Sequence, residues 1–361
     1  MGSLDWSRRG FLKAAGILGG STLVARLAKG EASSKTSQSR RQKIILDVDT
    51  GTDDAVALMF GALHPDLELV AATTVNGNVP VKYCTENTLR VFDYIGVDIP
   101  VYEGMATPMF RSDFPVPRKE RTSSMTSATI HGGNLELPPA RPKQQATTAV
   151  DFLIETYSRP ESRDIILVPV GPLSNVAMAL KQSPGIVENI PEIVMMGGAH
   201  EIGNVTASAE FNVWADPEAA RVVLGSGIKK LTMVPLDATH RALVSLDDCK
   251  KLRALGTPAG EAAAIFTERR IRGYLEFQPS GRPAAPVHDA LAVASIVNPS
   301  VISTVHAYVD VETHGELTVG ETVVDTRAQS GKDPNAYVAL NANEPLFVKL
   351  LLETMGRTAI G

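Results

Sequence analysis

From Lys43 onward, short apolar runs alternate with stretches whose apolar residues recur at helical spacing. Ile44-Ile45-Leu46 is apolar and β-branched, stops at polar Asp47, and predicts a strand. Asp54 to Leu63 predicts a helix ended by His64-Pro65. Leu67 to Val75 predicts a second strand and Val81 to Ile95 a second helix. The same pairing returns downstream: Ile165 to Val170 with Ser174 to Leu180, Glu192 to Met196 with Pro217 to Leu224, and Leu231 to Leu236 with Asp247 to Leu255. Apolar strands without strict alternation, each followed by a helix, predict an α/β fold with an open, mostly parallel sheet covered by helices on both faces. Such sheets bind ligands beyond the carboxyl ends of their strands, so chemistry is expected just after each strand.

Two stretches break this rhythm. Glu103 to Ala146 has little periodicity and carries Pro108, Pro115, Pro117, Pro138, Pro139 and Pro142. A segment of this length without a pattern predicts a functional lid or an insert, and it contains Ile130-His131-Gly132-Gly133. At the other end, Ser7-Arg8-Arg9-Gly10-Phe11-Leu12-Lys13 precedes a weakly apolar run from Ala14 to Ala25. This string reads as a twin-arginine export signal, and the run is too short to span a bilayer. The expected organisation is an export signal over residues 1–32, a polar linker over 33–42 and one domain over 43–361. The expected location is the periplasm or beyond, with the twin-arginine export machinery as a partner of the precursor.

Composition narrows the picture. The 361 residues are 44% hydrophobic and 21% charged, as expected of a globular body. Cys84 and Cys249 are the only cysteines, which excludes a disulfide framework or a cysteine zinc cluster. Lys and Arg number 35 against 40 Asp and Glu, a net charge of −5, so no nucleic-acid partner is expected.

The densest chemistry is Asp47-Val48-Asp49-Thr50-Gly51-Thr52-Asp53-Asp54, four carboxylates directly after a buried strand. Such a concentration of charge costs energy unless a cation or hydrogen-bond donors neutralise it. Gly51 would allow a tight turn, and Asp53 and Asp54 fall at a helix start, where the dipole favours anions. Hard oxygen ligands point to Ca²⁺ or Mg²⁺ rather than zinc. An EF-hand loop would need an oxygen-bearing side chain at the position of Gly51 and a Glu at its twelfth position, and has neither here. An Asp-x-Asp-Gly-Thr phosphatase signature would need Gly at position 50 and Thr at 51, where the chain has Thr50 and Gly51.

Asp-x-Asp-x-Gly-x-Asp-Asp after a first strand resembles the signature of the inosine-uridine preferring nucleoside hydrolases. Four further blocks follow in that family's order: Thr73-Thr74-Val75-Asn76-Gly77-Asn78; Val168-Pro169-Val170-Gly171-Pro172-Leu173-Ser174-Asn175; Met195-Met196-Gly197-Gly198 through Ala209-Glu210-Phe211-Asn212 to Asp216-Pro217; and Val287-His288-Asp289-Ala290. The similarity runs from about Lys43 to about Leu351. It implies a Rossmann-like nucleoside hydrolase fold and hydrolysis of the N-glycosidic bond of ribonucleosides to base and ribose, in nucleoside salvage. Ca²⁺ would be held by Asp49, Asp54, the Val170 carbonyl and Asp289. Asp49 would take the proton of the calcium-bound water. Asp53 and Asn78 would hold the 2′- and 3′-hydroxyls, Asn204, Glu210 and Asn212 the 5′ and 3′ side of the sugar, and Met196 would pack on the ribose. Asp47 would support the ligands, and His288 would be the leaving-group acid. A homodimer or homotetramer is also implied.

The chain departs from the family's commonest form in having Thr50 and Thr52, and in continuing the lid as Gly133-Asn134-Leu135-Glu136-Leu137. The base-contacting aromatic is either Tyr274 or Phe277. Two other functions fit the same residues: hydrolysis of a different ribosyl conjugate on this scaffold, and an idle exported nucleoside- or ribose-binding protein. The intact aspartate set weighs against the last.

Overall fold

The computed structural model describes residues 41–115, 131, 133–277 and 281–359, the side chain of residue 277 excepted. The export signal and linker expected over 1–42 lie almost wholly outside the described residues, as do Ile130, Gly132 and residues 116–129 of the lid.

A nine-stranded sheet organises the chain. In chain order its strands are β1 (Gln42–Val48), β2 (Leu67–Thr74), β3 (Val101–Glu103), β4 (Ile165–Pro169), β5 (Ile193–Met196), β6 (Leu231–Val234), β9 (Ile302–Val311), β10 (Thr322–Asp325) and β11 (Ala336–Ala342). The remaining strands, β7 (Leu243–Ser245) and β8 (Ala284–Pro286), pair antiparallel in a separate ribbon. The spatial order is β10-β9-β11-β6-β5-β4-β1-β2-β3. From β3 to β11 every neighbouring pair is parallel, whereas β9 and β10 run antiparallel at one edge. The parallel interior agrees with the α/β fold expected from sequence. The antiparallel edge was not anticipated.

Strand β1 shows why its sequence reads as continuously apolar. Ile44, Leu46 and Val48 join the core on one face of the sheet, and Ile45 joins the core on the other. The first face is covered by α1 (Thr52–Leu63), α2 (Val81–Ile95), α8 (Leu246–Ala254), α9 (Pro258–Phe277), α10 (His288–Val297) and α11 (Glu344–Met355). The second is covered by α3 (Ala149–Tyr157), α4 (Ser174–Gln182) and α6 (Pro217–Leu224). Two short helices, α5 (Phe211–Ala215) and α7 (Leu236–Thr239), complete the set. With alternate residues buried on opposite faces, no exposed position is left between Ile44 and Val48, and the one polar residue there, Asp47, is buried too.

Helix α1 is buried along its whole length except at Ala62, enclosed between the sheet and α9, α10 and α11. Its first residues therefore place their carboxylates inside the protein. They emerge where β1 is flanked by β2 on one side and β4 on the other. The chain order reverses across β1, so the loop after it sits at the topological switch point of a doubly wound sheet.

Candidate active site

The loop Asp49-Thr50-Gly51 joins β1 to α1 at that switch point, and Asp54 organises it. Asp54 Oδ1 accepts the Asp49 backbone N–H at 3.1 Å, and Oδ2 accepts those of Gly51 at 2.9 Å and of the Asn78 side chain at 3.1 Å. Asp49 Oδ2 accepts the Asn78 backbone N–H at 2.7 Å. The loop after β2 is thereby clamped to the loop after β1. A Cβ at Gly77 would stand 2.1 Å from Asp49 Oδ2, so only glycine allows this approach. Asp47, buried within β1, accepts Thr73 Oγ1 at 2.6 Å and Asn175 Nδ2 at 2.8 Å, while its Oδ2 has no hydrogen-bond partner. Burial pushes its carboxyl up to about 7.

Gly51 has a different reason from the tight turn expected. Its φ is −103°, a value open to other residues. A Cβ there would lie 2.0 Å from His131 Nδ1, which accepts the Thr52 N–H at 3.3 Å. His131 also approaches Asp53 Oδ1 to 3.8 Å, and burial lowers its imidazole to about 4. The lid histidine is thus packed on the aspartate loop. The stretch that departs from the family's form is anchored too. Leu135 N–H donates to Asn87 Oδ1 at 2.9 Å, Asn87 Nδ2 reaches the carbonyls of Thr50 and Gly133, and Arg90 donates to the carbonyls of Leu135 and Leu137.

Ligand oxygens of Asp53, Asp54 and Asp289, all buried, lie within 4.8 Å of one another. Burial, then mutual repulsion, raises the Asp54 carboxyl to about 6 and that of Asp289 well above the ordinary 3.8. Asp49 is likewise raised well above that value, by burial and then by the charge of Asp54. Buried carboxylates that repel one another and expose only hard oxygens suit a divalent cation. This cluster could hold a metal ion. Asp49 adjoins it through Asp54, and Asp53 belongs to it directly.

The loop after β4 brings in the buried Val170, whose carbonyl accepts Asn212 Nδ2 at 2.7 Å. The same nitrogen lies 3.2 Å from the Met196 carbonyl, so Asn212 spans the ends of β4 and β5. Glu210 is the N-cap of α5: its carboxylate accepts the N–H groups of Asn212, Val213 and Gly198 at 2.9, 3.2 and 2.8 Å. Burial nevertheless lifts its carboxyl to about 7. Asn204 Oδ1 accepts the Phe211 N–H at 2.9 Å and pins its loop to the start of α5. Met196, Glu210 and Asn212 are buried, and Asn78 and Asn204 are half-buried.

His288 begins α10 beside Asp289, with both ring nitrogens engaged. Nε2 lies 2.7 Å from Tyr274 Oη and Nδ1 2.7 Å from Thr239 Oγ1. Burial, then the charges of Arg270 and His240, lowers its imidazole well below the ordinary 6.5, so the ring is neutral. Tyr274 is one of the two aromatics between which the sequence left a choice. The side chain of the other, Phe277, lies outside the described residues. Three participants escaped the sequence reading. Thr239 is a single polar residue without a motif to mark it, and Asn175 stands in the block from Val168 to Asn175 but was given no role there. Arg270 is buried in α9, with Nη1 2.6 Å from Asp53 Oδ1. In sequence it is hidden in the charged run Glu268-Arg269-Arg270-Ile271-Arg272, which reads as a solvated face.

Residues 44–349 match the family described as inosine-uridine preferring nucleoside hydrolase. A pyrimidine-specific ribonucleoside hydrolase, RihB of Escherichia coli O157:H7, is 38% identical over 317 residues, covering 87% of this chain and 96% of the relative. A purine-preferring ribonucleoside hydrolase from Gardnerella vaginalis has a solved structure that superposes with a TM-score of 0.78 at 33% identity, covering 87% of this chain and 98% of that one. An inosine-guanosine nucleoside hydrolase superposes at 0.76 with 28% identity, covering 88% and 99%. With the family match spanning residues 44–349 and each of these relatives covered almost end to end, the chain belongs to the inosine-uridine preferring nucleoside hydrolase family and is a nucleoside hydrolase.

Proposed function

We propose that the protein hydrolyses the N-glycosidic bond of ribonucleosides, releasing free base and ribose, at the switch-point site with Ca²⁺ as its cation. The observation that carries this reading is the convergence of Asp53, Asp54 and Asp289, buried at a strand end beside Asp49. Asp49, Asp54, Asp289 and the Val170 carbonyl would hold the cation, with Asp53 at its edge. When bound, the cation would anchor a vicinal diol, acidify water and draw the surrounding carboxyls into their ionised form.

The remaining chemistry belongs to side chains. Asp49 accepts a proton from the attacking water as the water oxygen bonds to C1′ of the sugar; its high proton affinity suits a general base. The C1′–N bond breaks with its electron pair leaving on the base, through a transition state of oxocarbenium character. Asp53, Asp54 and Asp289 surround that growing positive charge with negative charge. Asp53 and Asn78 hold the 2′- and 3′-hydroxyls, Asn204, Glu210 and Asn212 hold the far side of the sugar, and Met196 packs on the ring. His288, neutral and hydrogen-bonded to Tyr274 and Thr239, relays a proton to the departing base: one ring nitrogen gives up its N–H as the other takes the proton of its hydroxyl partner, which solvent then restores.

The relatives' names carry opposite base preferences, so the test uses uridine and inosine together. Release of free ribose is expected from at least one of them, lost on exhaustive chelation and restored by Ca²⁺. Full activity after chelation would overturn the cation's role, and no ribose from either nucleoside would favour another ribosyl conjugate. Export rests on Arg8-Arg9 in the string Ser7 to Lys13: Arg8→Lys with Arg9→Lys should leave folded protein in the cytoplasm, and unchanged export would refute it. Assembly as a homodimer or homotetramer rests on the family resemblance and is read by light scattering.

A further inference from the structure

The pocket contains a buried cation that the proposed chemistry does not use. Arg270 projects from α9 and is 2% exposed. Its Nε donates to the Pro286 carbonyl at 2.9 Å and its Nη1 to Thr52 Oγ1 at 3.3 Å. Its guanidinium carbon lies 5.8 Å from the centre of the Tyr274 ring. These contacts fix the guanidinium from α9, from β8 and from the first residue of α1.

Against this fixed cation lies Asp53 Oδ1, at 2.6 Å from Nη1. The contact is an ion pair out of hydrogen-bond alignment, because this buried oxygen accepts no hydrogen bond. The arrangement therefore compensates the charge of Asp53 and seats its buried Oδ1 against the guanidinium, which fixes where the rest of the carboxylate lies. Among the described residues, no other arginine or lysine forms an ion pair with Asp49, Asp53, Asp54 or Asp289. A flexible carboxylate among three others would swing toward whichever donor was nearest. A rigid guanidinium tethered on three sides gives it one position.

We infer that Arg270 is a positioning residue for Asp53, and through it sets the preference for a sugar bearing a 2′-hydroxyl. The inference rests on the reading of Asp53 as a ligand of the ribose diol. A site built around a hydroxyl discriminates only while its acceptor is held in place, because an acceptor free to move finds another partner and no longer penalises the missing group.

The test compares kcat/KM for a ribonucleoside and its 2′-deoxy analogue in the wild type, Arg270→Gln, Arg270→Lys, Asp53→Asn and the double variant Asp53→Asn/Arg270→Gln. Calcium content and thermal melting are measured on each sample. Arg270→Gln should lower kcat/KM for the ribonucleoside by about 10²-fold, mainly through KM, and change the deoxy value little, so that the ratio collapses. Arg270→Lys should recover part of the ratio, because it restores the charge but not the three-point tether. In the Asp53→Asn background the Arg270 change should add nothing, since its partner is already gone. That double variant also removes the carboxylate that Arg270→Gln alone would leave buried without its cation, so it remains informative if the single variant fails to fold. Equal losses on both substrates with calcium retained, or additive effects in the double variant, would overturn the inference while leaving the diol reading intact. A wild type that cleaves both substrates alike would overturn Asp53's role as a diol ligand, and this inference with it.

Discussion

His288 shows how one side chain's surroundings restrict what it can do. An exposed histidine would be partly protonated near neutral pH and available as an acid. Here burial, and then the charge of Arg270, holds the imidazole well below its ordinary range, and its two nitrogens are engaged by Tyr274 and Thr239. Any proton it delivers must come from that relay. General acid catalysis is worth roughly 10²–10⁴-fold. His288→Ala should therefore slow inosine cleavage by about that factor while sparing p-nitrophenyl riboside, whose leaving group departs as a stable anion. Calcium content must be measured on the same sample, because Asp289 is adjacent. Equal losses on the two substrates with calcium still bound would return His288 to a packing role.

At the scale of elements, α2 acts as a bracket between the aspartate loop and the lid. Asn87 is fully buried and bonds the Thr50 carbonyl at 3.0 Å, the Gly133 carbonyl at 3.2 Å and the Leu135 N–H at 2.9 Å. Removing it would leave two buried backbone groups, the Thr50 carbonyl and the Leu135 N–H, without this partner, at a cost of about 1–3 kcal/mol for each group that water cannot reach. Asn87→Ala should lower the urea midpoint. It should also raise KM, because His131 rides on the segment thus loosened and packs on Gly51. A variant that melts earlier with an unchanged KM would show that α2 supports the fold without positioning the lid.

For the molecule as a whole, the buried carboxylates link stability, pH and cation. Asp47, Asp54 and Glu210 are raised to about 7, 6 and 7 from ordinary values of 3.8, 3.8 and 4.5. Between about pH 4 and 7 the cation-free folded protein therefore keeps protons that the unfolded chain has released. Stability falls wherever the native state binds more protons, so the cation-free protein should lose stability as pH rises through this window. A cation competes with protons for Asp54 and Asp289 and stabilises only the folded state. Added Ca²⁺ should therefore raise the melting temperature more at pH 8 than at pH 5. Equal shifts at the two pH values would indicate binding elsewhere.

Much of this protein was legible in the order of its residues. Strand and helix periodicity reports local burial, so the parallel interior could be read from runs such as Ile44-Ile45-Leu46, and Val81–Ile95 and Pro217–Leu224 emerged with their observed bounds. Four carboxylates after a buried strand marked the site because desolvated charge must be compensated wherever the chain folds. Strands β9 and β10 were missed because β9 alternates polar with apolar residues only toward its end, and their antiparallel pairing is a long-range choice. Tertiary structure alone decided which carboxylates converge, that Gly51 makes room for His131, and that Arg270 lies against Asp53. These relations join residues far apart in sequence through the packing of α9 and α10 on α1. Periodicity states that a residue is buried, but only the packed fold decides against which partner.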